Sequence, residues 1–156
     1  MNKEQTGPAL GKIASGIYIA TSHLDGRPVG MLSSFVEQAG FDPPMVTIAV
    51  QPGRILQKAL EETQLLGLNI LSDHDQPLMK PFAQSENEDP FAGLDLVKNE
   101  HELPQLADAM AFLACEVEGK LACGDHVIYS AKVLSGVLQD DSADPMVRIR
   151  KNGFGY

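Results

Sequence analysis

The stretch PVGMLSSFVEQAGFDPPMVTIAV, Pro28 to Val50, decides how this chain reads. It opens with an apolar run from Pro28 to Val36, passes a turn region from Glu37 to Pro44, and closes with the β-branched run Met45 to Val50. Two strands joined by a proline-closed connection account for that order. Pro43 and Pro44 have no N–H to give to a ladder, so the second strand is expected just after them. Ser33 and Ser34 interrupt the first apolar run. Neighbouring strand residues face opposite sides of a sheet, so at least one hydroxyl faces the interior or a pocket and needs a partner there. A nearby backbone carbonyl is the simplest such partner.

Upstream, Met1–Pro8 reads as a loose start, and Leu10–Ile13 as a helical turn or the lead into a strand. Gly16–Thr21 is a dense apolar run, expected to be a strand buried on both faces. Asp25-Gly26 is a hairpin turn that leads into the central stretch. Downstream, Gln51-Pro52-Gly53-Arg54 is a turn. The spacing then predicts a helix over Arg54–Gln64, with Ile55, Leu56, Ala59, Leu60 and Thr63 on one face and Lys58, Glu61 and Glu62 on the other. Leu65–Leu71 returns to strand. Ser72–Asp75 offers N-caps for a short helix to about Ala83, with Pro77 suited to its first turn and Pro81 straining its end. Gln84–Pro90 is a polar, acidic loop, and Leu106–Met110 is a short helix or a strand lead-in. Phe112–Glu118 and His126–Leu134 are strands about a centre near Gly119-Lys120. In the second, Val127, Tyr129, Ala131 and Val133 share an apolar face, while His126, Ser130 and Lys132 share the other with Ile128. Met146–Ile149 is a last short strand. Many short strands with helices inserted mid-chain predict one mainly β domain, a barrel with peripheral helices.

Composition excludes several functions. Twelve basic against twenty-one acidic residues give a formal charge of −9, which argues against a nucleic-acid surface. No apolar run is long enough for a membrane span, and MNKEQTGPAL carries no apolar leader, so a cytoplasmic location is expected. Cys115 and Cys123 form neither a CxxC nor a zinc pattern; they are expected to be reduced, on facing strands of one hairpin. The four histidines lack metal-ligand spacing. No GxGxxG or GxSxG occurs, and Gly7 to Gly11-Lys12 fails as a P-loop, its glycine spacing one short and Ile13 in place of Ser/Thr.

Four features carry possible chemistry. Arg54 at a helix start is either a phosphate ligand or a surface arginine. Gly124-Asp125-His126 opens a strand; Gly124 and Asp125 are turn chemistry, and His126 sits on the more polar face. Arg148–Tyr156 is the one basic cluster of an acidic chain. Asn69 lies inside an apolar strand and reads as a buried hydrogen-bonder.

Three of these motifs, in order, resemble the flavin reductase-like, FMN-binding split-barrel family, of the flavoredoxin and flavodiiron-associated type. GMLSSFVEQAGFDPPMVTIAV resembles its FMN-binding stretch, Gly124-Asp125-His126 its Gly-Asp-His motif, and Arg150–Tyr156 an Arg-Lys-Ser-Gly-x-x-Tyr ending, with Asn152 in place of Ser. Glu37 and Gly40 stand where relatives often carry Ser or Thr. Leu68-Asn69-Ile70-Leu71 resembles the family's Val-Asn-Val-Leu strand, and Phe82-Ala83 another family element, read as core packing. The resemblance runs from about Leu10 to Tyr156 and lacks the lactamase-like and flavodoxin modules, which implies a stand-alone domain over 1–156.

What the resemblance implies is a Greek-key split β-barrel, dimeric, with one FMN per subunit near the interface. The activity implied is hydride transfer from NAD(P)H to flavin. The alternative is a flavoredoxin-like carrier that receives electrons from a protein partner. A redox protein or a monooxygenase is the implied partner, and a barrel that has lost flavin is the third possibility. The main chain of Met31, Leu32, Ser33, Ser34 and Phe35 would lie along the isoalloxazine, with the turn Gln38, Ala39 and Gly40 holding the ring. Ser33, Ser34 and Arg54, with Gln51 beside them, would meet the ribityl chain and phosphate. His126 would orient the nicotinamide or polarise the ring edge, and Tyr156 would pack over the flavin or a neighbouring subunit.

Overall fold

The computed structural model describes residues 1–83 and 89–155, so Tyr156 and most of the Gln84–Pro90 loop lie outside the described residues. The chain does not begin loosely. Lys3–Leu10 forms a helix, α1, whose N-cap is Asn2, its side chain accepting from the backbone N–H of Glu4 and Gln5. Gly7 and Pro8 both disfavour a helix, and tertiary packing overrides them. The C-terminal tail lies on α1, with Gly153 N donating to Gly7 O at 2.8 Å and Arg150 N to Gly11 O at 3.0 Å. A Cβ on Gly153 would stand 2.1 Å from the Leu10 Cβ, so only glycine permits that approach.

The run at Gly16–Thr21 falls into β1 (Ser15–Gly16) and β2 (Tyr18–Leu24), and residues 19–22 of β2 are buried, as a strand covered on both faces requires. Asp25 and Gly26, both in the left-handed region at φ 50° and 70°, turn the chain into β3 (Arg27–Ser33). The apolar run does not continue as one strand to Val36. It breaks at Ser34-Phe35 and resumes as β4 (Val36–Phe41), so Glu37–Gly40 is strand and not turn. The turn is confined to Asp42 and Pro43, joined by a cis peptide bond, and β5 (Pro44–Val50) follows.

Helix α2 (Ile55–Thr63) forms where the periodicity places it, burying Leu56, Ala59 and Leu60 and ending on Gln64 in the left-handed region. Then come β6 (Leu65–Ile70), α3 (Gln76–Ala83), and a small ribbon of β7 (Leu96–Val97) and β8 (Gln105–Leu106). The long hairpin of β9 (Ala111–Cys123) and β10 (His126–Leu138) turns at Gly124-Asp125, not at Gly119-Lys120. Gly119 lies instead beside a bulge, opposite Ser130. Cys115 and Cys123 therefore share β9, facing Val133 and His126, and both are free. The final strand, β11 (Val147–Arg148), pairs with β1.

The main sheet has seven antiparallel strands in the order β3-β2-β6-β9-β10-β5-β4. Its two edges, β3 and β4, are consecutive in the chain. Ser33 and Val36 are three residues apart, which limits their Cα separation to about 11 Å. The sheet must curl enough to bring the Ser33 end of β3 near the Val36 end of β4, with no ladder between the two strands and Ser34-Phe35 bridging the seam. Phe35 O accepts from Ala49 N at 2.9 Å, which fixes the bridge to β5. The fold is thus mainly β with few peripheral helices, as the resemblance implied.

The rolled interior packs Ile48, Val50, Leu66, Leu68, Tyr129 and Ala131 against Leu56 and Leu60 of α2. Asn69 is the buried hydrogen-bonder expected. Its Nδ2 donates to Ile19 O at 3.2 Å and Pro104 O at 3.3 Å, and its Oδ1 accepts from Leu106 N at 2.7 Å. No helix among the described residues is long and apolar enough to cross a membrane. No group of three or more His, Cys, Asp or Glu among them could hold a metal ion.

Candidate functional site

A groove of about 700 Å³ runs along the outer side of β3 and over the seam, with Pro28–Phe35 as its floor. The start of α2 forms one wall through Gly53, Arg54, Ile55 and Lys58, and the end of α3 forms another through Pro81, Phe82 and Ala83. The floor is main chain because β3 carries glycine where α3 approaches. A Cβ on Gly30 would lie 2.6 Å from Phe82 Cε1, so the Phe82 edge rests directly on the strand. Phe91 holds that edge from behind, the two rings 5.0 Å apart at 75°. Of the serine pair, Ser33 is buried and Ser34 half-buried, and both line the groove. Ser33 Oγ donates to Met31 O at 3.4 Å, a long bond that leaves much of its capacity unused.

Arg54, Lys58 and Arg148 line the groove, and among the described residues no Asp or Glu does. In a chain of net charge −9 this segregation makes the groove a local positive region. Arg54 stands at the N-cap of α2, whose first-turn amides have no acceptor within the helix. Gln57 Oε1 accepts from Gly53 N at 2.7 Å and pins the turn that presents them. The Arg54 guanidinium donates to Gln51 Oε1 at 3.4 Å, so both side chains look onto the same end.

Phe35 closes that end. The Arg150 guanidinium carbon lies 5.0 Å from the Phe35 ring centre, and the His126 ring lies 5.6 Å away, tilted by 58°. His126 Nδ1 is 2.8 Å from Asp125 Oδ1. A carboxylate only accepts, so Nδ1 carries the proton in that pair. The bond to His126 holds the Asp125 carboxyl below the usual range.

The structure brings Met31, Leu32, Ser33, Ser34, Phe35, Gln51 and Arg54 together around one groove. Gln38, Ala39 and Gly40 are on β4, paired with β5 along the sheet edge and absent from the groove lining. His126 stands beside Phe35 rather than on the groove wall. Tyr156 lies outside the described residues. Lys58 is a groove residue the sequence reading did not single out, though it had a signal, four residues after Arg54 on one helix. Arg148 stood out only as the start of the basic cluster, and its place in the groove depends on the β1–β11 pairing.

The family model described as "Flavin reductase like domain" matches residues 10–154. The chain belongs to this family. It is 35% identical over 151 residues to diflavin flavoprotein A 1 of Synechocystis sp., a match covering 95% of this chain and 26% of that protein. The chain thus spans about a quarter of the length of the curated relatives it matches. Among solved structures, a homologue of nitrilotriacetate monooxygenase component B from Mycobacterium thermoresistibile superposes with a TM-score of 0.86 at 24% identity, over 96% of this chain and 84% of that one. The NADH:FAD oxidoreductase of Streptomyces globisporus gives 0.84 at 22% identity, over 95% and 89%. At these identities the structures share the fold of this flavin reductase-like domain.

Proposed function

We propose that this chain binds FMN in the β3 groove and acts as an NAD(P)H:flavin oxidoreductase. The observation that carries the reading is one groove that joins a main-chain floor to three cations and, among the described residues, no carboxylate. A flavin mononucleotide is a flat ring system with a single phosphate, and the groove's volume lies in the range of small-molecule sites. The phosphate fits the start of α2, where Arg54, Lys58 and the unpaired amides of the first turn converge. The ring fits the strand main chain of Met31–Phe35, where Gly30 lets Phe82 form the facing edge.

Bound flavin supplies the redox chemistry, taking a hydride from NAD(P)H and passing electrons onward. The chain's own residues supply position. Phe35 is held from two sides by Arg150 and His126, so the end of the groove is fixed before any ligand arrives. Asp125 fixes the tautomer of His126, and His126 orients the nicotinamide without moving a proton. The reading includes a homodimer, supported by exposed apolar side chains at Phe41, Val147 and Ile149. It also includes a redox protein or a monooxygenase as the partner that consumes the electrons.

A second reading is an electron carrier that keeps its FMN and exchanges electrons with protein partners. The longer diflavin flavoproteins favour it, because there the matching region is one part of a larger protein. Anaerobic mixing of FMN-loaded protein with NADH or NADPH tests both. Bleaching of the flavin absorbance supports the reductase, and no bleaching with either supports the carrier. Failure to take up FMN overturns both.

A further inference from the structure

The first turn of α2 is secured from inside the helix and not by its cap. Arg54, the N-cap, makes no side-chain cap bond, and a guanidinium has no acceptor to offer the first-turn amides. Those amides are left for a ligand, and another group must hold the turn. Gln57, the third residue of the helix, does so by reaching back to accept from Gly53 N at 2.7 Å. Only the amide oxygen can accept, so the Gln57 –NH2 must point away from Gly53. It donates toward the Glu61 carboxylate and the Tyr129 hydroxyl oxygen. Glu61 follows Gln57 by one helical turn on the same face of α2. The β9–β10 hairpin holds Glu61 in turn. Its Oε1 accepts from Lys120 Nζ at 3.0 Å and from the Tyr129 hydroxyl at 3.3 Å. Lys120 chiefly, with help from Tyr129 and Gln57, holds the Glu61 carboxyl below the usual range. Lys120 and Tyr129 are paired across the hairpin, and a register shift at Glu118 gives Lys120 the face of β9 that Val117 packs on the core. Tyr129 is 1% exposed, so its hydroxyl is anchored by the core itself.

We propose that Glu61 is a positioning residue for phosphate recognition: braced by Tyr129 and Lys120, it holds the Gln57 amide in the one orientation that ties down Gly53. The tied turn then presents Arg54 and the first-turn amides of α2 to the ligand. The inference rests on the reading of the β3 groove as an FMN site. An exposed Lys–Glu pair contributes little to stability by itself, so the consequence of this one lies in orientation. The sign of the effect is distinctive. Glu61 puts a negative charge on the helix that would meet a phosphate, and by charge alone its removal strengthens FMN binding. Loss of the brace weakens it.

Fluorescence titration with FMN and with riboflavin, which lacks the phosphate, tests this on the purified full chain. Glu61→Ala should weaken FMN about fivefold, the loss expected of one neutral hydrogen bond, and leave riboflavin unchanged. Alanine is the best helix former, so this variant keeps α2. Glu61→Gln discards the charge but keeps an oxygen for Lys120 and Tyr129, and should restore most of the FMN affinity. Gln57→Ala should act like Glu61→Ala, and the double variant should lose no more than either, since both act through Gly53. Unchanged or tighter FMN binding by Glu61→Ala overturns the proposal. Equal losses for the two flavins overturn it as well, because they mark a general structural role, and so do additive losses in the double variant. A wild type that fails to prefer FMN over riboflavin overturns the reading of the groove and this inference with it. A wild-type preference that Glu61→Ala leaves intact overturns this inference alone.

Discussion

Replacing Arg54 with glutamine separates recognition of the phosphate from recognition of the ring. Arg54 lies at the α2 end of the groove, and its Nη2 donates a bond of 3.4 Å to Gln51, so its guanidinium is little committed before a ligand arrives. A hydrogen bond to a charged group contributes about 1.5–3 kcal/mol. Arg54 is exposed, and solvent screening sets its contribution near the lower limit. About 1.5 kcal/mol corresponds to a little over tenfold in affinity. Lys58, one turn further along α2, keeps part of the positive field, so binding weakens and is not abolished. Riboflavin has the ring and the ribityl chain without the phosphate. Fluorescence titration of wild type and Arg54→Gln with both flavins, at low and high salt, is the assay. FMN affinity should fall about tenfold while riboflavin affinity holds, and added salt should narrow the FMN–riboflavin gap of the wild type. Equal loss for both flavins, or no loss for either, refutes the placement of the phosphate.

His126→Ala should slow flavin reduction by pyridine nucleotide more than it weakens FMN binding, since His126 touches Phe35 and does not line the groove; stopped-flow reduction and equilibrium titration give the two numbers, and equal effects contradict the role. Gly30→Ala would set a Cβ 2.6 Å from Phe82 Cε1 and 3.1 Å from Phe91 Cζ. Overpacking of this kind costs about 1–3 kcal/mol, or roughly 3–9 °C of melting temperature for a chain of this size. Adding Phe82→Leu should recover part of that loss, and a Gly30→Ala protein with unchanged melting would show that α3 yields freely. The thiols should differ in reactivity: Cys123 is exposed and Cys115 buried, so one thiol should react under native conditions and two after unfolding. Burial pushes the Cys115 thiol from 9.0 up to about 12. The unfolded chain then loses that proton first, so this residue's contribution to stability holds below pH 9 and declines as pH rises toward 12, a trend that Cys115→Ala should flatten in denaturant titrations.

Much of the architecture was legible because local signals were strong. The α2 face of Leu56, Ala59 and Leu60, the Asp25-Gly26 turn and the buried role of Asn69 are all written in short-range pattern. Strand β4 was not legible. Glu37, Gln38 and Ala39 are exposed on an edge strand, so no apolar alternation marks them, and Gly40, Asp42 and the two prolines together look like one long turn. The β9–β10 hairpin misled for a related reason: Gly119 stands in mid-strand beside a bulge and resembles a turn centre, while the true turn uses Gly124 at φ 60°. Helix α1 and the docked tail depend on each other across the length of the chain, through Gly7, Gly11 and Gly153. For the groove, the floor at Met31–Phe35 was visible as serines in an apolar strand. Of the opposing cations, Arg54 was visible at its helix start, whereas Arg148 comes from a distant strand of only two residues that no local pattern brings to the groove.

The rolled sheet has one lateral joint without a ladder, and the chain crosses it at Ser34-Phe35, the residues on which the ligand would lie. Edge strands fray before central ones. A molecule seated across that joint would act as a bolt, resisting the breathing of β3 and β4 at once. Cofactor loss and loosening of the whole sheet would then be a single event, so depletion of flavin would expose the protein to unfolding and proteolysis as well as silence it.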